Sequence, residues 1–131
     1  MPRAKITFDT VREIGLKLPE VAASPAYGAL ALKARGKLMA CVAIHKSAEP
    51  GSLMVRIDLD QRAGLLEEAP ETYYLTDHYR PYPSVLVRLS KITPEQLRDP
   101  LGAAWKYTTA ESEKKKRRPA SQRKSRTRRP G

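Results

Sequence analysis

The sequence predicts an α+β domain, a two-layer antiparallel sheet with N-terminal and C-terminal helices packed on one of its faces, followed by a disordered basic tail. Apolar residues recur at helical spacing near the start of the chain and again beyond Thr93. Between these two stretches the spacing changes to the two-residue period of strands, and short turns join the segments. A length of 131 residues suits one domain.

The first helix is predicted over Phe8–Leu18. Val11, Ile14 and Leu18 fall on one face at helical spacing. Thr7 is placed to cap the first turn, and Pro19 ends the helix because the residue before a proline resists the α conformation.

The middle of the chain predicts a hairpin and a third strand. Glu20–Gly28 is interpreted as a connection, after which a strand begins at Ala29 and turns back at Ala34–Lys37 into the buried strand Leu38–Ile44. Leu53–Leu59 shows the clearest alternation in the chain, so one of its faces should lie in the core and the other in solvent.

The second half predicts a small helix, two more strands and a closing helix. The small helix covers Asp60–Ala69 with Asp60 as its cap, and strands follow at Tyr73–Thr76 and Val85–Leu89. The closing helix starts with a capping box at Thr93–Gln96. Because a mid-helix proline removes a hydrogen bond, we expect a kink or a fresh start near Pro100.

The charge is concentrated at the C-terminal end. The whole chain carries 25 basic and 14 acidic residues, net +11, whereas residues 111–131 alone hold 10 basic and 2 acidic residues, net +8. Residues 1–110 are therefore predicted as the folded domain and residues 111–131 as a disordered tail, because from Ser112 onward there is no large apolar residue to bury.

The tail is predicted to bind nucleic acid without sequence preference and with strong salt sensitivity, through counterion release. The alternatives are a solubilising tail or attraction to an anionic membrane surface. The cations concerned are Lys114, Lys115, Lys116, Arg117, Arg118, Arg123, Lys124, Arg126, Arg128 and Arg129.

Several classes of protein are excluded by composition. The longest apolar run, Leu38–Ile44, is far shorter than the roughly 18 residues of a membrane span, and no secretory signal is evident, so we expect a cytoplasmic protein with no membrane association. The single cysteine, Cys41, allows no internal disulfide and is interpreted as a small core residue.

Four segments, in this order, resemble the MmcQ/YjbR family. They are Thr7–Arg12 (TFDTVR), Leu32–Ala40 (LKARGKLMA), Tyr74–Tyr79 (YLTDHY) and Tyr82–Leu89 (YPSVLVRL). The resemblance covers about Lys5 to Tyr107 and implies a frataxin-like (CyaY-like) α+β fold and a DNA-binding protein. The DNA-binding hypothesis, with its basic tail, would place the protein at the nucleoid.

Two departures limit what the resemblance implies. Ser84 stands where relatives often carry tryptophan, so it cannot stack on a base. The first helix has Asp9 and Glu13 beside Arg12 and Lys17 and lacks the acidic ridge with which frataxins hold iron, so no iron site is expected.

The loop Thr76–Pro83 is the candidate binding site of the body. In the functional interpretation its arginine and a neighbouring one hold phosphate, its tyrosines stack on a ligand and its histidine donates a hydrogen bond. The structural alternative is a turn whose tyrosines pack over the sheet edge. The candidate residues are His78, Tyr79, Arg80, Tyr82 and Arg88.

Catalysis is not predicted. His45 and His78 are the two histidines and show no metal-ligand spacing, so no metal is expected, and the strand-end pair Asp58 and Asp60 is interpreted as a polar face and a helix cap. Neither a nucleophile elbow nor a glycine-rich phosphate loop occurs, so no cofactor is expected.

Two functional hypotheses remain. A DNA-binding module would be favoured by a basic sheet face that brings Arg56, Arg88 and Lys33 together. A small-molecule or protein-interaction module, using the His78–Pro83 loop and the sheet edge, would be favoured by a deep apolar pocket beside His78 and Tyr79. Exposed strand edges allow a monomer or a weak homodimer.

Overall fold

The computed structural model describes residues 6–26 and 28–127, with only the backbone for residues 112–127. It contains one six-stranded sheet, antiparallel throughout, in the order β1-β2-β3-β4-β6-β5. The predicted α+β class is confirmed. The elements are α1 (Phe8–Gly15), β1 (Val21–Ala23), β2 (Ala31–Ala34), β3 (Lys37–Val42), β4 (Ser52–Arg56), α2 (Leu59–Glu68), β5 (Tyr73–Tyr74), β6 (Ser84–Arg88) and α3 (Pro94–Thr127).

The main core lies between the helices and one face of the sheet. Val11 of α1 and Leu97 and Leu101 of α3 are fully buried there against alternate residues of the central strands, among them Leu53 and Val87. Their strand neighbours point to the opposite face because successive side chains of a strand alternate. We call this opposite side the open face.

The open face carries a second, smaller apolar cluster. Ala31, Cys41, Met54 and Leu86 are buried in it, one from each of the four adjacent strands β2, β3, β4 and β6. Tyr79, from the loop between β5 and β6, packs against this cluster. The sheet is therefore apolar on both faces, and loops rather than helical side chains contribute to the cover of the second one.

One strand lies where the sequence indicated a connection. Val21–Ala23 forms the edge strand β1 and pairs with β2. Three residues are too few to show a periodicity. The contact that holds this strand comes from the hairpin turn instead, where Arg35 donates from its backbone to the Glu20 carbonyl at 3.0 Å and from its side chain to the Glu20 carboxylate at 2.6 Å.

Three helix predictions need correction. The first helix ends at Gly15, before the predicted Leu18, and Leu16 is its C-terminal cap. The cap of α2 is Asp58 rather than Asp60: the Asp58 carboxylate accepts a hydrogen bond from the backbone N–H of Gln61 at 2.9 Å. Strand β4 ends early, at Arg56, so the next residues are available for the helix.

The fresh start expected near Pro100 does not occur, because α3 runs unbroken through this residue. The ring of Pro100 is fully buried, and this burial offsets the hydrogen bond that a proline cannot donate.

The predicted capping box of α3 is confirmed. Thr93 accepts a hydrogen bond from the Gln96 backbone N–H at 3.1 Å, and the Gln96 side chain accepts one from the Thr93 backbone at 3.0 Å. Further along, the Trp105 indole donates to the Pro19 carbonyl at 2.9 Å and so anchors α3 to the segment between α1 and β1. The backbone of α3 continues through residues 111–127, most of the segment predicted to be a disordered tail, and the disorder of that segment stays a prediction.

Candidate ligand-binding site

A cavity of about 700 Å³ opens on the open face of the sheet. Its floor is formed by side chains of β3, β4 and β6, and its walls by the segment before β2, the loop after β3 and the loop between β5 and β6. The floor residues are Leu38, Cys41, Met54, Arg56 and Ser84. The cavity has the size of pockets that hold drug-sized molecules.

Two histidines from different loops form one wall. The rings of His45 and His78 stack with their centroids 3.5 Å apart and their planes within 7°. The Tyr79 ring meets His78 edge-on at 4.8 Å. These rings give the cavity a flat aromatic surface assembled from segments 33 positions apart in sequence.

Hydrogen bonds define the tautomer of His45. Its Nδ1 accepts from the backbone N–H of Ser47 at 3.0 Å, so the proton of the neutral ring lies on Nε2. The Ser47 hydroxyl lies 2.8 Å from the same Nδ1 and 2.8 Å from the Thr76 hydroxyl, which ties the two loops together. Partial burial of the ring, together with electrostatic interaction with His78 and Lys46, holds the pKa of His45 below its ordinary value of 6.5.

The lowered pKa of His45 predicts acid sensitivity. As the pH falls through 6.5, the unfolded chain binds a proton at this ring more readily than the folded protein does, so the free energy of unfolding should decrease. Urea unfolding at a series of pH values should show this decrease, and the His45→Gln variant should show a smaller one. An equal pH dependence in both proteins would contradict the prediction.

The single thiol lies in the floor of the cavity and is not activated. Burial raises the pKa of Cys41, so the thiol stays protonated at neutral pH. Burial also raises the pKa of Tyr79, an effect partly opposed by its interaction with the His45 backbone. The expectation that Cys41 is a buried core residue is confirmed.

The structure separates the sequence-predicted residues into two groups. His78, Tyr79 and Tyr82 line the cavity. Arg80 lies on the same loop but does not line the cavity, and its guanidinium is 3.8 Å from the Asp77 carboxylate, with both side chains exposed.

Arg88 also lies outside the cavity lining, and its hydrogen-bond donors are engaged within the protein. It binds both carboxylate oxygens of Glu49 at 2.8 Å and donates to the carbonyls of Pro70 and Glu71. Its guanidinium also lies 4.2 Å from the centre of the Tyr74 ring. Arg88 therefore ties β6 to two neighbouring loops.

Further residues line the cavity, and the sequence analysis did not name them as candidates for the binding site. They include His45, Cys41, Met54, Arg56 and Ser84. The alternation of β4 was a usable signal for two of them, because it places Met54 and Arg56 on the same face. The stacking of His45 on His78 had no local signal.

The ten tail cations named above lie outside the residues whose side chains the structure describes. Among the described residues, no group of three or more histidine, cysteine, aspartate or glutamate side chains is placed to hold a metal ion. None of the helices in the described part of the chain is long and apolar enough to span a membrane.

The fold and the cavity define a two-layer α+β protein whose antiparallel sheet bears a pocket with an aromatic wall. No family model and no curated protein matches the chain. A solved structure is similar to it: the crystal structure of the Deinococcus radiodurans protein DR2400, described as a DUF419 domain, with a TM-score of 0.66 and 19% sequence identity. The match covers 88% of this chain and 91% of that one and, at this identity, shows the fold alone.

Proposed function

We propose that this protein is a non-catalytic binding module of the MmcQ/YjbR type whose body binds a small organic molecule in the cavity beside His45 and His78. The observation that carries this proposal is the cavity itself, which measures about 700 Å³, has the apolar residues Leu38, Cys41 and Met54 beside Arg56 and Ser84 on its floor, and has stacked rings in one wall. Cavities that combine mostly apolar walls with a few convergent polar groups are the usual form of small-molecule sites.

A neutral fluorescent probe tests this function. N-phenylnaphthylamine, which brightens in apolar surroundings, should bind the full-length protein saturably. The Met54→Trp variant should lose this binding, because a larger ring on the cavity floor occupies the space of the probe.

Leu59→Trp is the matched control for this test. Leu59 is 57% exposed on α2 and does not line the cavity, so its replacement should leave probe binding intact. Thermal unfolding would verify that both variants fold. Absence of saturable binding to the wild type, or equal binding by wild type and Met54→Trp, would refute the proposed function.

A second function is supported by the charge of the tail. Residues 111–131 carry net +8 in 21 positions, which favours nonspecific binding of nucleic acid independently of the cavity. In this proposal the tail brings the ligand-binding body to nucleic acid, and the body reads no base sequence. Engagement of Arg88 by Glu49 supports this division, since that arginine is not free to hold a phosphate.

Charge removal in the full-length chain tests the role of the tail. Anisotropy of labelled duplex DNA should show weaker binding when five tail cations are changed to glutamine, and the slope of log affinity against log salt should fall by up to about 0.9 per lost phosphate contact. Equal weakening by five exposed body cations would contradict a specific role for the tail. The tail set is Lys114, Lys115, Lys116, Arg117 and Arg118, and the body set is Arg12, Lys17, Lys91, Arg98 and Lys106.

A further inference from the structure

Two polar groups without a partner meet in the floor of the cavity. Arg56, the last residue of β4, and Ser84, the first residue of β6, lie directly opposite each other in the sheet, and both line the cavity. Ser84 is 2% exposed, and its hydroxyl has no hydrogen-bond partner among the described residues. The same holds for the buried Nε of Arg56.

Such pairs are unusual in folded proteins. Buried polar side chains nearly always have a hydrogen-bond partner, because an unmade bond leaves the cost of desolvation without compensation. Here the two donors belong to residues that are directly paired on neighbouring strands and that both line a cavity large enough for a ligand. Both atoms are covered by protein in this structure, so a small shift of the Arg56 side chain on ligand entry would let a ligand oxygen accept hydrogen bonds from them.

The charge of the cavity indicates the sign of that ligand. Arg56 and Lys46 line it, whereas no aspartate or glutamate is among its described lining residues. Four other arginines of the described chain have a carboxylate partner: Arg12, Arg35, Arg80 and Arg88. A partly buried guanidinium without a counter-charge favours an anion.

The guanidinium of Arg56 is also held in position. It lies 5.8 Å from the centre of the Tyr107 ring, on α3, and this cation–π contact supports one face of the group. The Nε edge of an arginine presents two parallel N–H donors that match the two oxygens of a carboxylate or a similar oxyanion. The Ser84 hydroxyl can add a third donor from the side.

The remainder of the cavity suits an apolar, flat body. Met54 and Leu38 lie on its floor, and the stacked rings of His45 and His78 form a wall on which a planar group can lie. A ligand with its charge at one end would place that end at Arg56 and the rest along this surface.

We propose that the cavity binds an organic anion with a planar apolar body and one terminal oxyanion group, held by Arg56 and Ser84. This inference rests on the proposed small-molecule function and adds the chemical class of the ligand. A carboxylate, a sulfonate and a phosphate monoester share the chemistry required. A nucleic acid strand is the competing occupant and is included in the test.

Two probes that differ by one sulfonate test the proposal in the full-length protein. Anilinonaphthalene sulfonate should bind more tightly than neutral N-phenylnaphthylamine. Arg56→Met should lower the ratio of sulfonate affinity to neutral-probe affinity by about tenfold or more, and Ser84→Ala should lower the same ratio by a smaller factor. Arg80→Met, which removes an exposed arginine beside the cavity, should affect neither probe. The tail is the same in every variant, so its attraction for the sulfonate cancels.

The outcomes separate the two proposals. If neither probe binds the wild type, the proposed function and this inference both fail. If the neutral probe binds but Arg56→Met leaves sulfonate affinity intact, the pocket stands and the oxyanion site is refuted. If Arg56→Met and Ser84→Ala each weaken the binding of both probes equally, these residues have a structural role. This result would also refute the oxyanion site. Displacement of the neutral probe by a short oligodeoxythymidylate would overturn the small-anion assignment in favour of a nucleic acid strand.

Discussion

Replacing Leu101 with alanine is expected to lower the free energy of unfolding by about 2–5 kcal/mol. Leu101 is completely buried where α3 packs on the sheet, beside Leu97 and the buried ring of Pro100. Alanine is a strong helix former, so the loss reports packing alone and not helix propensity. Urea unfolding followed by far-ultraviolet circular dichroism would measure it.

Leu59→Ala is the control for this prediction. Leu59 is also in a helix, α2, but its side chain is 57% exposed, so the same change of residue should alter the free energy of unfolding by less than about 0.5 kcal/mol. A loss at Leu101 no larger than the loss at Leu59 would contradict the packing of α3 on the sheet.

Arg88→Met is expected to reduce the free energy of unfolding by about 2 kcal/mol, because it removes hydrogen bonds to charged and backbone groups together with a cation–π contact. The side chain joins Glu49 of the loop after β3 to the Pro70 and Glu71 carbonyls and covers the Tyr74 ring. It is one quarter exposed, so the ion pair itself contributes modestly. Urea unfolding at neutral pH is the measurement.

Arg80→Met provides the comparison, since sequence analysis gave both arginines the same role. The Arg80 side chain is 60% exposed and its ion pair with Asp77 is long, at 3.8 Å, so its replacement should leave stability close to that of the wild type. Equal losses for the two variants would show that the contacts of Arg88 do not stabilise the fold. Loss of DNA affinity in Arg80→Met at constant tail charge would instead support a phosphate contact by the loop.

The cavity and the tail suggest different ligands for different parts of the chain. Arg56 lies in the cavity, and no carboxylate is among the described residues that line it. Arg88 lies on β6, the strand that pairs with β4, four positions after Ser84, and it is bound by Glu49. A basic sheet face with Arg56 and Arg88 together was the feature expected of a DNA-binding body. In the structure Arg56 lies inside a pocket and Arg88 lies in an ion pair. This arrangement favours recognition of one anionic group in the body over contact with a row of phosphates.

The sequence by itself determined the fold class and most elements. The core face of β4 and the capping box of Thr93 and Gln96 depend on interactions within a few residues, so local pattern is enough to predict them. The same pattern predicted solvent on the other face of β4, where Met54 is buried under loops. Errors arose at short or ambiguous segments, such as the three-residue β1 and the cap of α2.

Only the tertiary structure decided the site. Both pairs join segments that lie far apart in sequence: His45 stacks on His78 because two loops meet, and Arg56 lies opposite Ser84 because β4 pairs with β6. The loop after β3 places Glu49 beside Arg88, whereas Arg56 lines the cavity. The periodicity of the sequence does not predict which of the two arginines gains the carboxylate. Local pattern assigns a side chain to a face, whereas its partner is set by packing between distant segments.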